Sequence, residues 1–223
     1  MRVCVLIPCY DVESVIGGVV KEIKDAGLDV VVIDDGSTDE TEKRASERGA
    51  LVMRHVKNLG KGASLREGFD FVVRMTNFEA VIVMDGDAQH SPGDIQKFIS
   101  HASRHADDII VGNRMDLTKN MPFVRLATNK FMSLLLSVMC KQRIPDTQCG
   151  FRFIRRRVLE EIKFESDKYD IDSELLIKAS RKGMKISSVP VETIYGEELS
   201  GIRPVRDTLR FIGLLFKTYF NRG

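Results

Sequence analysis

The chain predicts an α/β fold, a mostly parallel central sheet flanked by helices on both faces. Three observations predict it. Several short runs are apolar throughout, the pattern of strands buried on both faces. Amphipathic stretches with helical spacing separate them. Polar clusters follow the apolar runs, where parallel sheets bind ligands beyond the C-terminal strand ends.

Residues 3–7 read as the first buried strand. A helix should follow over about 12–26, with Val15, Ile16, Val19, Val20 and Ile23 on one face and Gly27 as its stop. Residues 30–33 form the second strand. Ser37, with Glu40 three residues on, makes a capping box for the next helix. Residues 51–53 are a weaker third strand, 62–75 a helix, 80–84 a strong fourth strand and 109–111 a fifth. After about Met115 the pattern changes. Residues 129–139 and 208–220 are strongly apolar helices, and Asp172 precedes a short helix over 173–181. With no repeat, low-complexity tract or linker, one domain is the simplest organisation. Its halves span about 1–115 and 116–223, the second more basic.

The composition is that of a globular chain: 223 residues, 43% hydrophobic and 30% charged, enough for one sizeable core. A net charge of +2 is too near neutral to imply nucleic-acid binding. Cys4, Cys9, Cys140 and Cys149 form no Cys-x-x-Cys pair, so their spacing points to neither zinc nor a redox dithiol. Cys4 reads as a small core residue, and a reducing compartment fits best. Pro8 ends the first apolar run too early for a signal peptide. No run approaches the roughly 20 residues that span a bilayer. The expected location is the cytoplasm, peripheral on the cytoplasmic face of a membrane.

Asp85-Gly86-Asp87 is the central feature. Two carboxylates on a tight turn at a strand end can share a hard divalent cation, and Gly86 permits the turn. Mg²⁺ favours a few carboxylates plus substrate phosphate oxygens. Gln89 can add a ligand or bind a metal-bound water. The tripeptide alone is more often a capped turn; its place after a buried strand changes that. Asp34 and Asp35 end the second strand, where unpaired acids cost solvation. Either can accept a hydrogen bond from a base or ribose, and Ser37 or Asp39 can also cap a helix. Asn58-Leu59-Gly60-Lys61-Gly62 looks like a phosphate loop but fails the Walker test: position 56 is Val, and Ser64 is displaced from Lys61.

Ile7-Pro8-Cys9-Tyr10-Asp11, Val32 to Asp39, Asn58 to Gly62 and Met84 to His90 together resemble the motif series of family 2 glycosyltransferases, which have the GT-A fold. Asp146-Thr147-Gln148-Cys149-Gly150-Phe151-Arg152 resembles the dolichyl-phosphate mannosyl- and glucosyltransferases in particular. The resemblance spans nearly the whole chain. It implies a nucleotide pocket lined by Pro8, Tyr10 and Glu13, with Asp34 or Asp35 on base or ribose and Lys61 also on the nucleotide. It implies Asp85, Gly86 and Asp87 at the diphosphate, with Asp85, Asp87 and Gln89 holding Mg²⁺ or Mn²⁺. The first motif departs from the usual Pro-x-Tyr-Asn-Glu, having Asp11-Val12-Glu13 instead. Arg114 and Arg125 would approach a lipid phosphate, and Arg203 would approach the donor diphosphate. Arg152 and Arg206 add to this cationic supply, since guanidinium forks suit phosphate oxygens. For any one of them, solvated surface charge is the simpler account.

The implied reaction moves a hexose from GDP-mannose or UDP-glucose to a polyprenyl or dolichyl phosphate, with inversion. Asp172 occupies the region where relatives with hydroxyl acceptors carry a general base. It acts as base, orients the acceptor or merely caps a helix. The two apolar helices lie either in a membrane interface or against the core or a partner. A hydroxyl acceptor on a glycan or soluble molecule is the alternative within the family. A sugar nucleotidyltransferase would need a Gly-rich basic loop that residues 7–18 lack. A silent nucleotide-binding module has no need of Asp85, Asp87 and the arginines.

Overall fold

A computed structural model describes residues 1–116, 123–166, 170–192 and 194. The elements run β1 (Val3–Cys9), α1 (Glu13–Asp25), β2 (Asp29–Asp34), α2 (Thr41–Glu47), β3 (Leu51–Arg54), α3 (Lys61–Met75) and β4 (Ala80–Val83). They continue with a 3₁₀ turn (Pro92–Asp94), α4 (Ile95–Arg104), β5 (Ile109–Asn113), α5 (Phe123–Cys140), β6 (Arg152–Arg155), α6 (Arg156–Glu161), α7 (Ile171–Arg181) and β7 (Ile186–Pro190).

One sheet of order β3-β2-β1-β4-β6-β5-β7 forms the centre. β1 runs parallel to β2 and β4, and β2 parallel to β3. All seven residues of β1 are buried, as a strand covered on both faces requires. The chain steps outward from β1 through β2 to β3, then returns across them to β4. Right-handed crossovers therefore put α1 and α2 on one face and α3 on the other. The packing agrees: α1 contacts α2, whereas α3 contacts α6. Gly68 of α3 lets the backbone close onto Leu6 of β1, since a Cβ there would come within 2.6 Å of the leucine. Gly27 follows α1 at φ 77°, the left-handed residue expected after a helix end.

Among the described strands, β6 is the one reversal. It lies antiparallel between β4 and β5, with Arg152 opposite both Val83 and Val111. An antiparallel strand starts where its parallel neighbours finish, so residues 146–152 enter beside the Asp85 turn.

Several elements depart from the sequence expectation. Ser37 and Glu40 form no capping box. α2 begins at Thr41, whose N–H donates to Asp39 Oδ1, and the Ser37 hydroxyl turns back to Asp34 Oδ1. α5 starts at Phe123 rather than at 129. Asp172 is not an N-cap, because α7 begins at Ile171 with Asp170 before it. α4, β6, α6 and β7 had no sequence counterpart. The four cysteines are buried and free. The helix expected over 208–220, with Arg203 and Arg206, lies outside the described residues.

Candidate active site

The loops after β1 and β2 are laced together. Asp11 N–H donates to Ser37 Oγ (2.9 Å), and Asp11 Oδ1 accepts from Thr38 N–H (2.7 Å). Asp11 sits at φ 50°, a left-handed conformation that Asp tolerates better than most residues. Glu13 Oε2 accepts from Glu40 N–H (2.8 Å), and Glu13 N–H donates to Asp39 Oδ2 (3.1 Å). Pro8 is buried within β1, whereas Tyr10 stands exposed at its end.

Asp34 and Asp35 are both interior. Asp35 Oδ1 accepts from Leu59 N–H (2.8 Å) and meets His55 Nδ1 (2.7 Å), while Oδ2 accepts from Gly60 N–H (2.8 Å). These bonds fold the 55–60 loop against β2, so Asp35 is first a loop-building residue. Asp34 Oδ1 takes both the N–H and the hydroxyl of Ser37. Its buried Oδ2 has no hydrogen-bond partner among the described residues, with Arg54 Nε 3.5 Å away.

The Asp85-Gly86-Asp87 turn presses on the end of β1. A Cβ at Gly86 would lie 2.8 Å from Cys9 Cβ. Asp85 is gripped from two sides, by Lys61 Nζ on Oδ1 (2.6 Å) and His90 Nε2 near Oδ2 (3.5 Å). Burial alone would raise the Asp85 carboxyl, but Lys61 and His90 outweigh it and hold it well below the carboxylate range. Asp87 shifts the other way. Desolvation of the carboxyl by the turn around it, joined by the charge of Asp85, raises it despite the Gln89 N–H on Oδ1 (3.0 Å), although the residue as a whole stays exposed. A cation beside Asp87 would relieve that repulsion. Asp85, Asp87 and the Gln89 side chain supply oxygen donors of the hard kind that Mg²⁺ or Mn²⁺ takes, and an ion held there would need diphosphate oxygens and water to complete its shell. Among the described residues no group of three His, Cys, Asp or Glu side chains makes a closed metal cage.

The second half of the chain corrects the cation count. Arg114 is no solvated charge: Nε and Nη2 fork onto Asp146 Oδ2 and Oδ1 at 2.7 and 3.0 Å, and Asp146 is fully buried. Arg152, expected among the phosphate-facing cations, is 1% exposed. It donates to the carbonyls of Cys149 (2.8 Å), Thr147 (2.8 Å) and Asp172 (2.5 Å). Asp172 lies between cations, with Arg152 Nη1 at 3.3 Å and Lys61 Nζ at 3.4 Å. The side chain of Arg125, on α5, lies outside the described residues.

Asp85, Lys61 and Asp172 thus meet at one place. Sequence reasoning named each of them but missed their contact, and it missed Gly150. A Cβ at Gly150 would fall 2.5 Å from Asp85 Oδ2 and 3.0 Å from Lys61 Nζ.

The model of glycosyl transferase family 2 matches residues 4–163. An uncharacterised protein of Methanocaldococcus jannaschii is 32% identical, over 88% of this chain and 83% of its own. The UDP-N-acetylglucosamine–dolichyl-phosphate N-acetylglucosaminyltransferase of Methanococcus voltae is 26% identical, over 86% and 85%. The polyprenol monophosphomannose synthase of Mycolicibacterium smegmatis is 28% identical, over 85% and 76%. Glucosyl-3-phosphoglycerate synthase of Mycobacterium tuberculosis, solved with Mn²⁺, UDP-glucose and phosphoglyceric acid, superposes with a TM-score of 0.75 at 20% identity, covering 97% of this chain and 79% of that one. The expected GT-A fold is therefore present, and the chain belongs to glycosyl transferase family 2.

Proposed function

We propose that this protein is an inverting hexosyltransferase that moves sugar from a nucleoside diphosphate donor, GDP-mannose or UDP-glucose, to a polyprenyl or dolichyl phosphate. The observation that carries the proposal is the Asp85-Gly86-Asp87 turn at the end of β4, packed on the β1 end and facing Asp172 across Lys61. The lipid acceptor is supported by the names of the M. voltae and M. smegmatis relatives.

In this scheme Pro8, Tyr10, Glu13, Asp34 and Asp35 shape the nucleoside pocket. Asp85, Asp87 and Gln89 would hold Mg²⁺ or Mn²⁺, which supplies positive charge for the departing diphosphate. The acceptor oxygen attacks the anomeric carbon opposite that leaving group. A phosphate acceptor is largely ionised near neutral pH, so no side chain need remove its proton. Asp172 then orients, and a base is required only for a hydroxyl acceptor. Arg125 and Arg203 are proposed for the phosphates. Arg114 shapes the acceptor side through Asp146.

Attachment to a membrane surface is part of the proposal. On α5, Val124, Phe131, Leu134 and Val138 are more than half exposed. Lys130 and Lys141 line a groove of about 710 Å³ beside them, with Leu134, Val138 and Arg143. An apolar stripe edged by cations suits anionic headgroups. No helix among the described residues is long and apolar enough to cross a membrane.

The test offers each donor with Mg²⁺ or Mn²⁺ and a polyprenyl phosphate in detergent. Solvent-extractable lipid-linked sugar from one donor is the expected result. Transfer only to water-soluble alcohols would overturn the lipid acceptor. Failure to sediment with anionic vesicles would remove the membrane surface.

A further inference from the structure

Lys61 is the first residue of α3, entered through Gly60 at φ 99°. The family resemblance implies that Lys61 contacts the nucleotide. Its surroundings give it other partners. Nζ lies 2.6 Å from Asp85 Oδ1 and 3.4 Å from Asp172 Oδ2, and its side chain is 14% exposed. The Gly150 backbone closes the space beside it, and Arg152 fixes Asp172 from the far side. Four charges of alternating sign, Asp85, Lys61, Asp172 and Arg152, therefore run from the β4 turn through α7 to the start of β6. Each interior charge in the row has an opposite charge on both sides, so removing one strands its neighbours.

We propose that Lys61 is a positioning residue: its ammonium bridges Asp85 to Asp172 and holds the two carboxylates in register. Its kinetic consequences rest on the glycosyltransferase scheme above; its geometry does not. A divalent ion arriving at Asp85 must share that carboxylate with the ammonium. Lys61 therefore lowers the affinity of the free protein for the ion while keeping Asp172 at a fixed distance from it.

The experiment compares the wild type with Lys61→Met, Lys61→Arg, Asp172→Asn and the Lys61→Met/Asp172→Asn double variant. Mn²⁺ binding to the donor-free protein, followed by electron paramagnetic resonance, should tighten about 10-fold in Lys61→Met, the size expected for coupled neighbours. Turnover should fall about 100-fold, with donor KM nearly unchanged, as misplacement of reacting groups predicts. Lys61→Arg should recover part of the loss. The double variant should be no slower than Lys61→Met alone. Unchanged Mn²⁺ affinity, additive losses, or a raised donor KM at full kcat would overturn the bridge; the last would make Lys61 a phosphate ligand. If the wild type transfers no sugar at all, the functional scheme fails while the Mn²⁺ measurement still decides the bridge. Should Lys61→Met not fold, the same Mn²⁺ comparison with Lys61→Arg and Asp172→Asn decides it.

Discussion

The loops after β1, β2 and β4 and the segment from Arg114 to Asp172 carry the same kinds of residue and use them in opposite ways. In the loops, carboxylates tie one backbone to the next. Asp11 and Glu13 reach across to Thr38 and Glu40, and Asp35 gathers Leu59 and Gly60, while Asp87 and Tyr10 remain exposed. In the later segment, charges neutralise one another inside the protein: Arg114 with Asp146, Arg152 with Asp172. The difference teaches that a charged residue inside a family motif is no evidence of a ligand contact. A buried ion pair is more often a clamp, whose rupture leaves an uncompensated charge.

The sharpest way to break this comparison is to remove one carboxylate from the open region. Asp87→Ala should lower sugar transfer about 1000-fold, the scale for losing electrostatic stabilisation of a developing charge. Because Asp87 is exposed, the thermal midpoint should move by no more than about 2 °C. Normal turnover would refute the metal-side role, and a collapse in stability would move Asp87 into the clamped class.

The opposite outcome is expected of Arg114→Ala. It strands Asp146 in the interior and should cost about 3–5 kcal/mol in urea unfolding. The Arg114→Ala/Asp146→Ala pair should cost less than the sum of the single changes. A loss under about 1 kcal/mol with a steep rise in acceptor KM would return Arg114 to the phosphate-binding role its motif implies.

The same contrast explains what the sequence revealed. β1, β2 and β4 were legible because a strand covered on both faces must be apolar along its length. β6 was not, because Phe153 and Ile154 are flanked by Arg152 and Arg155. Those guanidiniums are satisfied by backbone carbonyls: Thr147 and Cys149 just upstream and Asp172 on α7 for Arg152, and Ala102, His105 and Asp107, far back in the sequence, for Arg155. A local pattern sees charge and cannot see the acceptors. Ser37 misled for a related reason. Gly36 at φ 75° turns the chain so that the serine faces Asp34, and α2 starts four residues later. Of the candidate site, the acidic turn was legible from its place after β4. The contact of Lys61 with Asp172 was not, because it joins the start of α3 to α7 across a long stretch of chain.

The smallest expected effect lies where the two modes meet, at His55. This buried imidazole belongs to the open region by sequence, yet it is clamped between Asp35 (2.7 Å) and Glu67 (2.6 Å). Burial pulls the imidazolium down, but the hydrogen bonds and charges of Asp35 and Glu67 outweigh it and raise the value above the ordinary 6.5. A folded-state value above the unfolded one means that the native protein holds the proton more tightly. The stabilisation is therefore complete below about pH 6.5 and is lost as the pH climbs through the raised folded value. The urea midpoint of the wild type minus that of His55→Gln should shrink between pH 6 and pH 9. A difference that stays constant, or grows, would mean that the ring is neutral throughout and that Asp35 is held by the Leu59 and Gly60 amides alone.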